Sequence, residues 1–312
     1  MQALLTALWI AGGIAALLAA LTLTAAYILT GRVVRPRVRG FDEAFDAFGE
    51  RGKALRRLYE SLPHEAFTVC AVDGTALSCE LIRAEAESFP PRVVILAHGF
   101  GFNRAGEVKY IPFFRKRGFH VVLFDQRHAG ASGGRYTTMG AKERYDLLRV
   151  TDAVFERFGE GAIVGTHGES MGGATVLLNA ALDGRLAFVA ADCAYASCRE
   201  QLTYTLSKRA RRLAWLLIPL CSRMAKLRAG FSFDDACPAE AVARIERPLP
   251  ILFAHGTADT VVPCAATERL FERYQGPKAV LYGKGSGHTR TALDYPGAYD
   301  EAVGAFLERY AP

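Results

Sequence analysis

The 312-residue sequence carries no charged side chain before Arg32. The basic n-region of a cleaved secretory signal is therefore missing, and the uncharged stretch from Ala3 to Leu29 outruns the roughly 7–15 apolar residues such a signal uses. Cysteine is sparse and unpatterned: the seven residues at 70, 79, 193, 198, 221, 237 and 264 show no CxxC or metal-ligand spacing. That excludes a disulfide-stapled scaffold and leaves most of them as buried thiols acting as small apolar side chains. Internal repeats and low-complexity linkers are also missing, and a composition 51% apolar and 22% charged excludes a disordered or collagen-like chain. No aromatic-interleaved basic surface is present, so nucleic acid is not an expected partner.

What is there begins with the apolar stretch itself. Rich in Leu, Ala and Ile, it exceeds as a helix the roughly 20 residues that cross a bilayer core, and residues 1–30 are predicted to be a transmembrane anchor. Arg32, Arg35, Arg37 and Arg39 follow with no acid among them. The positive-inside tendency then predicts a single-pass cell-membrane protein whose body is cytoplasmic. These four account for much of the net charge of +6. A second cluster, Arg199, Lys208, Arg209, Arg211, Arg212, Arg223, Lys226 and Arg228 against Glu200, accounts for more, so everything else is mildly acidic.

Residues 31–64 read as a basic juxtamembrane and amphipathic connector, with Phe41, Phe45, Phe48, Leu55, Leu58 and Leu62 at helical spacing. Asp73-Gly74, between apolar-rich 67–72 and 75–82, predicts a two-residue hairpin turn. From Val93 onward, short all-apolar runs at 93–97, 121–124, 162–165, 187–191, 251–254 and 279–282 alternate with helical stretches, including one near 104–117. Continuous apolar strands separated by helices predict an α/β fold, a parallel sheet covered on both faces. The alternation is broken at about 199–248, which reads as a mostly helical insertion interrupted at Pro219 and placed to cap the strand ends where ligands bind. The catalytic domain is thus expected over 65–312.

The pattern GxSxG occurs twice. Around Ser132 it leads into more Gly, Arg and Thr. Around Ser170 it follows a strand and runs straight into the helix-forming MGGATVLLNAAL, the strand, sharp turn and helix that a nucleophile elbow requires. A hydroxyl needs a base, and of the seven histidines only His255 and His288 follow Ser170. In the order Ser, acid, His, His255 fails because its acid candidate comes after it, which leaves His288 in the glycine-rich loop at 283–287. Asp259, just past the run at 251–254, is the acid that can fix the imidazole tautomer and stabilise the imidazolium. Oxyanion donors are expected from the backbone N–H groups of Met171 and Phe100. His98 reads as a loop-orienting residue.

HGFG at 98–101, DQRHAGAS at 125–132, GESMGG at 168–173, HGTADTVVP at 255–263 and GSGH at 285–288 stand in one order along residues 65–311. With them the sequence resembles the α/β-hydrolase superfamily, and within it the single-span, membrane-anchored bacterial serine hydrolases of the serine aminopeptidase and esterase branch. The resemblance implies an α/β-hydrolase fold: a mostly parallel eight-stranded sheet with helices on both faces, a helical cap and an N-terminal transmembrane helix. It further implies hydrolytic acyl transfer with no cofactor and no metal. His128 stands where the family commonly has Gly, and is expected to narrow the pocket mouth; Glu169 is expected to turn its charge away from the pocket. With His98 and Gly99, these two complete the expected substrate-binding set.

The expected partner is a small-molecule or lipid acyl substrate, cleaved at a carboxylic ester or related acyl bond; a serine peptidase of the aminopeptidase type and an acyl-protein or lipid thioesterase are the alternatives among enzymes. A non-catalytic membrane-tethered binding protein is the reading from another class, and the intact Ser170, Asp259 and His288 set counts against it. The cap residues 201–228 combine Leu, Trp and Ile with the basic cluster and fit either an anionic lipid surface or a packed lid.

Overall fold

The computed structural model describes residues 1–311; Pro312 and the side chain of Arg209, counted above in the cap's basic cluster, lie outside the described residues. Helices α1 (Gln2–Val34), α2 (Phe41–Asp46) and α3 (Glu50–Ser61) precede the hairpin of β1 (His64–Cys70) and β2 (Ala76–Ile82). There follow β3 (Arg92–Ala97), a 3-10 turn (Arg104–Tyr110) running into α4 (Ile111–Arg115), β4 (Phe119–Phe124), α5 (Glu143–Phe158), β5 (Ile163–Glu169), α6 (Met171–Ala180) and β6 (Phe188–Asp192). The rest is α7 (Cys198–Ala229), α8 (Pro238–Ala243), β7 (Ile251–Gly256), α9 (Ala265–Arg273), β8 (Lys278–Gly283), α10 (Thr291–Asp294) and α11 (Pro296–Tyr310).

The eight strands form one sheet in the order β1-β2-β4-β3-β5-β6-β7-β8. β2 is antiparallel to both β1 and β4, and all pairs from β4 to β8 are parallel. Because helices cover both faces, β4 and β7 are buried at every residue, which is why they read as unbroken apolar runs rather than alternating ones. One core layer packs Leu147, Val150 and Val154 of α5 and Val176 and Leu177 of α6 on the sheet, and the opposite layer packs Phe114 of α4 and Val303, Phe306 and Leu307 of α11. Each such side chain fully buried contributes about 1.5–3 kcal/mol. β3 has β4 on one side and β5 on the other, so the chain order reverses there. A crevice opens at such a switch point outside the carboxyl ends of the strands.

Three local expectations change. The hairpin loop is longer than two residues: Ala71 N–H donates to the Thr75 carbonyl at 2.9 Å, leaving 72–74 as the loop with Gly74 at φ 82°. A three-residue loop ending in a left-handed residue is the next commonest hairpin form. The helix near 104–117 is split into the 3-10 turn and α4, where Pro112, with no N–H, sits in the first turn of α4. In the cap, α7 breaks at Ala210 (φ −149°, ψ 59°), whereas helix continues through Pro219. Pro219 and Trp215, whose carbonyl loses its helical donor to the proline ring, are both exposed, so solvent can replace the missing bond.

The connector does not hang free. Ala44 and Phe45 of α2 are buried in the α4/α11 layer, and residues 25–34 of α1 join a third cluster with α6, α7 and Met139.

Candidate active site

Ser170 is placed by the end of β5 and the start of α6. Its φ of 53° lifts the side chain off the sheet edge, and its N–H is held by the Asp192 carbonyl at 2.7 Å. Such a turn brings α6 hard against the strands, and only glycine fits: a Cβ on Gly172 would lie 1.8 Å from the Ala97 carbonyl oxygen, and one on Gly168 would lie 2.4 Å from the Gly172 carbonyl. Positive φ also occurs at Met139, Cys193 and Thr289. Met139 lines the cavity that holds Ser170, Cys193 lies beside Asp259 and His288, and Thr289 follows His288, so the strained backbone clusters where the chemistry-bearing side chains meet.

His288, in the loop after β8, lies with Nε2 2.9 Å from Ser170 Oγ and Nδ1 2.6 Å from Asp259 Oδ2. Asp259, in the loop after β7, also accepts the Val261 and Val262 N–H groups on Oδ1 at 2.7 and 2.9 Å. Burial by itself would raise this carboxyl, but hydrogen bonds with His255, His288 and the Val262 backbone outweigh it and hold Asp259 well below the usual carboxylate range. An ionised Asp259 fixes the proton on His288 Nδ1 and leaves Nε2 to accept the serine proton. Neither Met171 N–H, at the first turn of α6, nor Phe100 N–H has an acceptor among the described residues. Both are free to serve an oxyanion.

The cavity containing Ser170 has a volume of ≈ 400 Å³, with Phe100, Met139, Tyr195, Leu202, Leu206 and Val262 among its lining residues. A larger cavity, ≈ 620 Å³, is lined by Arg39, Arg104, Asp125 and His128 and does not include the relay. Chemistry, not size, identifies the first as the candidate site.

None of the four residues expected at the substrate is among those lining this cavity. His98 is buried, accepts the Gln126 N–H on Nε2 at 2.9 Å and donates from Nδ1 to the Gly99 carbonyl at 2.9 Å, so its ring braces the oxyanion loop. His128 lines the other cavity; its backbone at φ 63° is a conformation that suits glycine better, which accounts for Gly at this place in the family motif. Glu169 runs inward beneath the oxyanion loop to Lys109 Nζ at 2.5 Å, both side chains almost fully buried. Gly99 comes close to Ser170, since a Cβ there would stand 3.5 Å from Ser170 Cβ.

Behind Ser170 lies a polar network that sequence reading missed. Tyr110 Oη is 2.9 Å from Asp192 Oδ2 and 3.3 Å from Glu169 Oε2, and His167 stands between Glu107 Oε2 at 3.3 Å and Tyr299 Oη at 3.1 Å. Burial pushes His167 down to about 3, reinforced by Lys109, so its ring is neutral. Burial and the nearby Glu169 push Glu107 well up, which favours its neutral form. Lys109 is the cation set against Glu169 in this network. The sequence signal for it was slight, a Lys-Tyr pair some 60 residues before the elbow. His255 was also passed over: its Nε2 lies 3.3 Å from Asp259 Oδ2 and its Nδ1 2.7 Å from Thr267 Oγ1, steadying the acid from behind.

Among the described residues, one trio of metal-capable side chains converges, Cys193, Asp259 and His288, with ligand atoms within 4.8 Å. Asp259 and His288 are already spent on each other. Burial, with Asp192 nearby, raises the Cys193 thiol well above its ordinary value, and Sγ donates to Asp192 Oδ1 at 3.0 Å, so no thiolate ligand is offered.

Fold and site together define an α/β-hydrolase. The family model described as alpha/beta hydrolase fold matches residues 92–214. The uncharacterized protein YqkD of Bacillus subtilis (strain 168) is 34% identical over 83% of this chain and 84% of its own length. The uncharacterized protein YfhR of Escherichia coli (strain K12) is 24% identical over 78% of this chain and 80% of its own. Among solved structures, the Pyrococcus furiosus esterase Pf2001 superposes with a TM-score of 0.67 at 24% identity, covering 90% of this chain and 98% of that one. The chain belongs to the α/β-hydrolase superfamily.

Proposed function

We propose that the protein is a membrane-anchored serine hydrolase that cleaves a carboxylic ester or thioester with an apolar acyl group. The observation that carries this is the hydrogen-bonded chain Ser170 Oγ, His288 Nε2, Nδ1 and Asp259 Oδ2, set in an apolar cavity. Ser170 Oγ attacks the carbonyl carbon as His288 takes its proton; the C=O electrons move to oxygen, which the Met171 and Phe100 N–H groups receive. Collapse breaks the bond to the leaving group, which takes the proton from His288. Water, deprotonated by His288, then attacks the acyl-serine, and collapse of the second tetrahedral intermediate returns the proton to Ser170 and releases the acid.

An aminopeptidase reading is disfavoured by the same cavity. A free amino terminus calls for a carboxylate, and among the described residues the lining includes no Asp or Glu, its full charge being Arg32. The long apolar helix α1 supports a membrane anchor by length and composition, and the arginines that follow it support a cytoplasmic catalytic domain.

The test is turnover of p-nitrophenyl esters by the full-length protein, with acid quench and mass spectrometry. The expected result is a pre-steady-state burst and an acyl adduct on the peptide containing Ser170. Hydrolysis without a Ser170 adduct, even with slow-turnover esters, would contradict the acyl-enzyme route.

A further inference from the structure

The cavity at Ser170 is not built by the hydrolase body alone. Leu29, Arg32 and Val33 of α1 form part of its lining, facing Leu202, Leu206 and Ile218 of the cap helix α7. α1 therefore has two parts. Residues 1–20 are exposed on every side, whereas Ala26, Thr30 and Val34 have no exposed surface and, with the half-buried Ala25, Leu29 and Val33, form a stripe at helical spacing against the body. Residues 2–24 as helix span about 35 Å, enough for a bilayer core of about 30 Å. Leu29 and Val33 then lie about 8–14 Å beyond the end of that stretch, from the outer edge of the lipid headgroups outward.

This part of α1 is fastened rather than merely adjacent. Thr30 Oγ1 lies 3.3 Å from the Cys221 carbonyl, Arg228 Nη1 donates to the Tyr27 carbonyl at 2.9 Å, and Thr137 N–H donates to the Val34 carbonyl at 3.0 Å. Farther on, Arg39 N–H donates to the carbonyl of Gly101 at 3.0 Å, in the loop that presents the Phe100 amide. The cap carries a matching outer surface. Trp215 is 75% exposed and Leu213 51%, beside the exposed Arg211 and Arg212. Apolar and cationic groups together on one exposed helix suit an anionic interface.

We infer that the membrane helix is itself a wall of the acyl pocket. The substrate is a lipid-partitioned amphiphile, a long-chain acyl ester or thioester, whose chain lies between α1 and α7 while its carbonyl reaches Ser170. Arg32 stands at the same wall, where a polar or anionic headgroup would lie. The inference rests on the serine-hydrolase reading and adds to it the class of substrate and the side from which it enters.

The test uses the full-length wild-type chain in vesicles containing anionic phosphatidylglycerol, treated with a dodecyl fluorophosphonate bearing a diazirine at the chain end. Phosphonylation expels fluoride and bonds phosphorus to Ser170 Oγ; photolysis then releases nitrogen and inserts the chain-end carbene into what lines the pocket. Crosslinks on residues 25–34 as well as on the cap are expected. Labelled Ser170 with crosslinks confined to the cap and none on α1 would overturn this inference alone. Absence of label on Ser170 in the folded chain would overturn the hydrolase reading and this one with it. As a second readout, Leu29→Trp should lower the ratio of long-chain to short-chain ester turnover by about tenfold or more, since single methylenes in apolar pockets count for that much. Leu17→Trp, on the fully exposed stretch, should leave the ratio unchanged; an unchanged ratio in Leu29→Trp that still labels would count against the shared wall.

Discussion

The segments at 130–134 and 168–172 both read GxSxG, and their serines are put to different uses. Ser132 Oγ donates to the Asp125 carbonyl at 2.5 Å and accepts the Ser78 N–H at 2.8 Å, so it latches the loop after β4 onto β2. Ser170 Oγ faces His288 instead, on a backbone turned to φ 53° between a buried strand and a helix. The residue after each serine shows the cause. Gly133 N–H is committed to the Ala76 carbonyl at 2.8 Å, whereas Met171 N–H opens a helix and stays uncommitted. The neighbour on the other side differs as well: Ala131 beside Ser132, and beside Ser170 the buried Glu169 with Lys109 as its counter-ion. In the proposed function, what separates a nucleophile from a latch in the same string is the strand, helix and partner loops that receive it.

The comparison can be broken at each of these differences. The largest effect is expected at the relay: Asp259→Asn should lower kcat by about 10⁴-fold, since the amide favours the wrong histidine tautomer while leaving the shape intact. Ester turnover by the full-length variant measures this, and a loss under tenfold would show that Asp259 does not orient His288. Lys109→Met should leave Glu169 buried without its cation and cost about 3–5 kcal/mol, read as a lowered unfolding midpoint in detergent. If the midpoint holds, the pair does not support the elbow. The smallest effect belongs to the other serine. Ser132→Ala should cost about 1 kcal/mol through the unpaired Ser78 N–H, with turnover unchanged.

Much of this was legible before the structure because burial writes itself into sequence. Strands such as β4 and β7 are covered on both faces and leave unbroken apolar runs, and Ser170, Asp259 and His288 stood out because each follows a strand, β5, β7 and β8, in the order Ser, acid, His. The contribution of α1 to the pocket was illegible for the opposite reason. In a helix apolar all round, Leu29 and Val33 do not differ from lipid-facing neighbours, so no periodicity marks the stripe that packs on the cap. The pairing of Lys109 with Glu169 crosses 60 residues and joins two elements by tertiary contact alone. His128 was misplaced because its motif was read for chemistry, when most of that motif is bracing: Gln126 holds His98, and Arg127 holds Asp146 at 2.5 and 2.6 Å.

The central claim is that one of two serines in the same string is the nucleophile. Fluorophosphonate labelling of the full-length wild type, Ser132→Ala and Ser170→Ala, with peptide mapping, tests it most directly. The account predicts one adduct, on Ser170, kept in Ser132→Ala and absent from Ser170→Ala. Label persisting in folded Ser170→Ala, or none in the folded wild type, would contradict it.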